Sequence, residues 1–381
     1  MLMPTRMSAA DLEELRQVTR DFLTDRSGEQ KVREAIESPA GWAEPLWQMM
    51  CTDLGLAGIA VPEALGGAGG GWPELAAVFE ETGAALACVP LLSATIATQL
   101  LLAGGHAEAA GRIVPGIVEG NVVAVALTSP GGRWRGEDVP GVARHGSDGG
   151  WLVSGTYGHV LDGAAAAELL VLADGPGGPV LLAVATQQPG VRVLPRVSLD
   201  LTRPQAEVIF TDARAEPASL PGHASGLLAI ARTVAGVCLA AEQSGGAQRV
   251  LDQVVAHAGT REQFGRSIGS FQAVKHSCAE MFLLAESARS ASRAAAAAVD
   301  AANAIGPDGL DAEAERLAHV ASAYCSRANR EVAAAALQIH GGVGFTWEHP
   351  VHLQLKRARC SEALFGPSAD HLDALADLLG I

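Results

Sequence analysis

The sequence predicts a chain that is helical at both ends and β-structured in the middle: an N-terminal helical domain, a compact β-barrel or sandwich, and a C-terminal four-helix bundle. Three observations predict it. Apolar residues recur at three- and four-residue spacing on both sides of the centre. Between residues 121 and 215, short β-type runs are separated by Gly, Pro and Asp. At 381 residues the chain also exceeds what one hydrophobic core usually serves. We divide it into a helical domain over 1–118, a β-domain over 119–218 and a bundle over 222–381.

In the first part, Asp11 followed by Glu14 reads as a capping box ahead of Leu12, Leu15 and Val18. PEALGGAGGGWPE (62–74) is a loop, with Pro73 suited to a helix start. The uncharged run from Ala84 to Gly105 has the length of a membrane span, but Pro90 and Ser93, Thr95, Thr98 and Gln99 interrupt it. It is expected to form a buried helix pair. VVAVAL, WLVSG, ELLVLA, VLLAVA, GVRVLP and AEVIFTDA are the strand candidates, and their spacing favours antiparallel pairing over βαβ units. Beyond PGHASG (221–226), Phe271, Val274, Cys278, Met281, Phe282 and Ala285 mark one helix face. Leu317, Val320, Ala321, Tyr324, Ala328, Val332, Ala335 and Ile339 mark another. IGPDGLD (305–311) links the two. Many of these positions are alanine, which allows close helix packing.

The bulk numbers exclude some functions. A formal charge of −15 leaves no basic footprint for nucleic acid. The six cysteines are scattered without a C-x-x-C pair, as expected for reduced thiols in the cytoplasm. The N-terminus becomes charged too early for a signal peptide. No membrane insertion is expected. His349 and His352 stand three apart, but no further ligands have metal-site spacing, so no metal is expected.

Two segments carry chemistry. In TREQFGRSIGSFQAVKH (260–276), an arginine and a phenylalanine precede a glycine. In LQIHGGVGFTWEHP (337–350), three glycines end a helix-like run, where bare backbone lets another molecule approach. Arginine forms charge-assisted bonds to phosphate oxygens, and glycine N–H groups suit an anion. In their order and spacing these segments resemble the acyl-CoA dehydrogenase family over nearly the whole chain. Members are flavoenzymes that remove two hydrogens from the α and β carbons of a CoA thioester. The resemblance implies FAD as cofactor. It also implies that the two segments hold the adenosine diphosphate portion of an FAD seated in a neighbouring subunit. Arg261 would face the diphosphate and Phe264 would pack on the cofactor. Gln338, Gly341 and Gly342 would contact it through an amide and backbone.

The family's own-subunit flavin residues are altered. Where members carry a T-E-P-x-A-G-S-D loop, this chain reads ALTSPGGRWRGED (126–138), keeping Thr128 and Pro130. Where members carry a W-I-T strand, it has His159, Val160 and Leu161. The catalytic glutamate of one branch falls on Phe365, beside a retained Gly366; that of the other falls on Ala235, beside Gly236, where a CoA-binding arginine often sits. Glu242, two turns on, is a weak substitute whose alternative role is a salt bridge. The resemblance therefore points to a base-less subunit of a heteromeric, α₂β₂ FAD-dependent dehydrogenase for a bulky acyl-CoA, of the kind that acts on steroid side chains. The isolated chain is expected to be inactive. Alternatives are a flavin-dependent monooxygenase of the same fold and a non-catalytic homo-oligomeric scaffold.

Overall fold

The computed structural model describes residues 7–131, 139–301, 305–306 and 309–381. The GGRWRGED part of the altered flavin loop therefore lies almost wholly outside the described residues. Six helices come first: α1 (Ala9–Arg26), α2 (Glu29–Glu37), α3 (Glu44–Thr52), α4 (Trp72–Ala84), α5 (Leu91–Ala103) and α6 (Ala107–Val118). The start of α1 corrects the expected cap. Ser8 is the N-cap, its hydroxyl accepting from the Asp11 N–H at 3.2 Å while the Asp11 carboxylate accepts from the Ser8 N–H at 3.1 Å. Asp11 thus closes the box as its third helical residue and does not open it. Pro73 does sit in the first turn of α4. The apolar run from Ala84 to Gly105 yields one buried helix, α5, and not a pair. Residues 85–90 turn the chain and Pro90 occupies the N-cap.

Seven strands follow: β1 (Val123–Ala126), β2 (Gly141–His145), β3 (Trp151–Leu161), β4 (Glu168–Gly175), β5 (Gly178–Ala185), β6 (Val191–Arg196) and β7 (Gln205–Pro217). They hydrogen-bond in the order β1-β4-β2-β3-β7-β5; β4 also pairs with β5, which closes a ring, and β6 lies on β7. The expected all-antiparallel pairing needs correction, because β1 and β2 both run parallel to β4. Strand β2 was not legible, since GVARH shows only brief alternation. Inside the ring, Tyr157 is fully buried, meets the Phe210 ring edge-on at 5.6 Å and donates its hydroxyl to the Leu172 carbonyl at 2.7 Å. That bond satisfies the one polar atom the barrel core takes in with the ring.

The C-terminal part contains α7 (Leu227–Thr260), a two-stranded turn of β8 (Glu262–Gln263) and β9 (Arg266–Ser267), α8 (Gln272–Ala301), a second small pair β10 (Ile305–Gly306) and β11 (Gly309–Leu310), α9 (Ala312–His340), α10 (Val351–Ser361) and α11 (Ser368–Leu379). Helix α7 is the centre, packed by α4, α8 and α9. The stretch His223–Thr260 has the length and hydropathy of a membrane span, yet 72% of its apolar window is buried within the fold. Along α8, Met281 and Ala285 are buried as expected, but Phe282 is 51% exposed. Phe282 is one residue, about 100° of helix rotation, away from Met281.

Helices α4 and α7 touch backbone to backbone. A Cβ on Gly83 would lie 2.0 Å from the Glu242 carbonyl, and one on Gly245 would lie 1.8 Å from the Glu80 carbonyl. The glycine pair sets the height of Glu242 against the N-terminal helices. We therefore expect Gly245→Ala to push the helices apart and cost roughly 1–3 kcal/mol. The check is a lowered denaturation midpoint; an unchanged midpoint would contradict this crossing.

Candidate functional site

The two glycine-bearing segments, 77 residues apart from Arg261 to Gln338 in sequence, end neighbouring helices at one end of the bundle. Arg261 is the C-cap of α7 and is exposed; its N–H donates to the His257 carbonyl at 2.8 Å, and its carbonyl accepts from Ile268 at 2.8 Å. Phe264 follows in the β8–β9 turn with φ +55° and 91% of its surface exposed. An aromatic residue in the left-handed region and in water is strained and unburied at once, which is the pattern of a contact residue. Phe271 meets its edge at 6.1 Å, and the Arg266 guanidinium lies over Phe271 at 4.0 Å.

On the other side, α9 ends at His340. Gln338 is exposed, and Gly341 takes φ +66°. An added Cβ on Gly341 or Gly342 would meet nothing within 4 Å, so this backbone faces open space. Histidine rings join the two halves. His257 stacks on His340 with centroids 4.4 Å apart, and His340 meets His349 at the same separation. The structure thus brings Arg261, Phe264, Gln338, Gly341 and Gly342 to one end of the bundle. A cation, an exposed ring, an amide and open glycine backbone fit the nucleotide diphosphate half of FAD.

Thr128 does not join them. It lies just past β1 in the barrel, buried, and its hydroxyl donates to the Gly158 carbonyl at 2.9 Å. His159 has φ +54° and pairs through Nδ1 with the Gln205 amide oxygen at 2.8 Å, while Val160 and Leu161 are buried.

The two glutamate positions lie in the core. Ala235 and Phe365 are both buried. At Gly236 a Cβ would come within 2.5 Å of the Ser322 hydroxyl, so a side chain there would have to displace that hydroxyl. Glu242 takes the salt-bridge role, its carboxylate held by two arginines. Arg203 reaches both its oxygens at 2.6 Å, and Arg357 reaches one at 2.8 Å. Arg203 also donates to Ser361 at 3.0 Å. Arg357 meets the Asp200 carboxylate at 3.0 Å and the Thr202 hydroxyl at 2.8 Å. It also donates to the Thr202 carbonyl at 3.1 Å and the Ala87 carbonyl at 3.4 Å. Burial opposes charge on Glu242, but the two guanidiniums overcome it and hold the carboxyl below its ordinary range. An acid kept ionised by two full ion pairs makes a poor proton acceptor. What remains open among Phe79, Leu92, Asp162, Arg203, Glu242 and Arg357 is about 10 Å³, room for one water.

Sequence reasoning missed Asp162, Asp200, Arg203 and Arg357, and also His257 and His340. Only His340 lies in one of the two quoted segments, and only topology gathers the rest. A separate cleft of about 730 Å³ lies between α1, α4, α7 and α8 and is lined by none of the predicted site residues. Its wall is balanced: Arg16 and Arg293 pair with Glu80, and Arg20 with Glu81. His349 and His352 each have a backbone partner. The first accepts from the Val351 N–H, the second contacts the Trp347 carbonyl, and the described residues hold no group of three or more metal-ligating side chains.

Residues 9–121 match the profile described as acyl-CoA dehydrogenase, N-terminal domain, and residues 229–379 that of acyl-CoA dehydrogenase, C-terminal domain. The chain is 32% identical to the acyl-CoA dehydrogenase IpdE2 of Mycolicibacterium smegmatis, over 95% of this chain and 97% of that protein. Among solved structures it is similar to the ChsE4–ChsE5 complex from Mycobacterium tuberculosis, with TM-score 0.86, 27% identity, and coverage of 100% of this chain and 99% of that one. It is also similar to a variant of the Tcur3481–Tcur3483 steroid ACAD, with TM-score 0.85, 29% identity, and coverage of 97% and 98%.

Two outcomes follow from the filled interior. Removing one partner of a buried ion pair strands the other, so Glu242→Ala is expected to cost roughly 3–5 kcal/mol of stability, seen as a lower denaturation midpoint. A catalytic base replaced in this way would instead lose turnover with little loss of stability. Asp162 provides a pH test. Burial pushes its carboxyl up to about 6, against a hydrogen bond from Ser93 and the pull of Arg203 and Arg357. A carboxyl raised in the folded state supports folding most below its unfolded pKa, and that support disappears as pH rises through the folded value. The melting temperature of Asp162→Asn relative to the unaltered protein should therefore rise between about pH 4 and pH 7; a constant difference would contradict an ionising Asp162.

Proposed function

The chain belongs to the acyl-CoA dehydrogenase family of oxidoreductases, and from that premise we propose that it is the base-less subunit of a heteromeric, FAD-dependent dehydrogenase. In this reading it completes the nucleotide end of an FAD housed by a second family subunit. The partner supplies the carboxylate that takes the α proton of a bulky acyl-CoA. FAD, when bound, supplies the acceptor for the hydride leaving the β carbon.

One observation carries the reading. The interior between α4, α7, α10 and the β6–β7 connection is occupied by the Arg203–Glu242–Arg357–Asp200 network, with about 10 Å³ left beside it. Neither an isoalloxazine ring nor an acyl chain fits such a space. The residues for the nucleotide end, in contrast, are open to a visitor. Arg261 would bond a phosphate oxygen, Gly341 and Gly342 would offer backbone N–H groups, and Phe264 would cover the cofactor from water. The likeness to a two-component complex and to a steroid ACAD supports a heteromeric enzyme acting on a large acyl group. Assembly as α₂β₂ is part of the proposal, as is the identity of the acyl chain.

The test is to purify the chain alone and record flavin absorbance and acyl-CoA dehydrogenation. No retained flavin and no turnover are expected, both appearing on coexpression with the second subunit. Bound FAD with turnover by the lone chain would overturn the proposal. In the complex, Arg261→Ala removes a charge-assisted phosphate bond of about 1.5–3 kcal/mol, so FAD affinity should fall roughly 10- to 100-fold.

A further inference from the structure

The motif comparison does not account for the histidine stack that joins the two nucleotide segments. His257 is on the last turn of α7, half-buried, and its backbone carbonyl caps Arg261. Its ring lies flat on His340, the residue before Gly341, with an interplanar angle of 28°. One ring contact therefore links the cation of the first segment to the glycines of the second.

The rings have different freedom. His340 donates its Nδ1–H to the Ala336 carbonyl at 2.8 Å. His349 accepts the Val351 N–H at Nδ1, at 3.2 Å, so protonating that nitrogen would break a bond. Among the described residues, His257 is held at its ring by the stack on His340 and not by a hydrogen bond. We propose that His257 is a positioning residue that becomes protonated when an anionic diphosphate settles at Arg261 and Gly341–Gly342. Nucleotide binding by this chain is then coupled to proton uptake. The inference rests on the nucleotide reading of these segments and assigns a new role to a residue outside them.

The electrostatic setting supports it. Arg261 faces His257 from the end of α7, and His340 faces it from α9. Further round the stack, His349 is faced by Glu29 of α2 and His352 of α10, and His352 by Lys356 of α10 and Arg33 of α2. Burial first, then His340 and Arg261, keep His257 below its ordinary pKa. The free ring is neutral near pH 7. A bound diphosphate adds negative charge beside Arg261 and reverses the local balance. The sign follows: an anion that favours the charged ring binds more tightly as pH falls, by up to about tenfold per pH unit for one proton.

The probe is ADP-ribose, which carries the adenosine diphosphate portion without a flavin and has no phosphate that titrates near neutrality. Calorimetry on the full chain between about pH 5.5 and pH 8, in buffers of different ionisation enthalpy, measures protons exchanged per ligand bound. Net proton uptake on binding is expected below neutral pH, with affinity rising as pH falls. His257→Phe keeps a ring for His340 to stack on but cannot take the proton, and should flatten the slope of affinity against pH. Binding without proton uptake by the unaltered chain, or an unaltered slope in the variant, overturns the inference alone. No binding at millimolar ADP-ribose at any pH, by this chain or by the two-subunit complex freed of flavin, overturns both the nucleotide reading and this role.

Discussion

Arg203 and Arg357 closing on Glu242, out of water, is the interaction on which the interior depends. It joins three parts of the chain: the β6–β7 connection with Asp200, Thr202 and Arg203, the centre of α7, and α10 with Arg357 and Ser361. Arg357 also reaches the Ala87 carbonyl beyond α4, so the N-terminal helices are tied in. Ion pairs of this kind recover their desolvation cost only when geometry is good and the remaining hydrogen-bonding positions are filled. Arg357 meets that condition here, with its Nε and both terminal nitrogens donating. The glycine crossing at Gly83 and Gly245 brings α4 against α7 at the height the network requires.

The consequence is a division of labour within one chain. Its interior is committed to charge pairs that stabilise the junction of barrel and bundle. Its bundle end, by contrast, carries an exposed strained phenylalanine, an arginine and glycines with open space before them. An interior filled in this way has little capacity for catalysis, while an exposed end of this kind has little use in an isolated protein. The proposed role as a completing subunit explains both.

Much of the fold could be read from the sequence because local rules governed it. Six of the seven barrel strands announced themselves through apolar alternation between turn residues, and Pro73 marked the start of α4. Readings failed where competing local groups or distant contacts decided. Ser8 displaced Asp11 as cap by being one turn earlier. Phe282 looked like core until the helix phase turned it outward. Parallel pairing of β1 and β2 with β4 depends on ring closure, which no local pattern encodes. At the site, Arg261 and the glycines were legible as a motif, whereas the partners of Glu242 come from positions 203 and 357, separated by most of the bundle. Nothing near Glu242 in sequence signals them.

In the proposed assembly, each flavin needs this chain at its nucleotide end and the other subunit around its ring. The most direct measurement is the ratio of FAD to polypeptide in the purified two-subunit complex, from flavin absorbance against quantitative amino-acid analysis. The account predicts one flavin for each pair of unlike chains. One flavin for every chain would mean that this interior opens to hold a ring after all, and would contradict it.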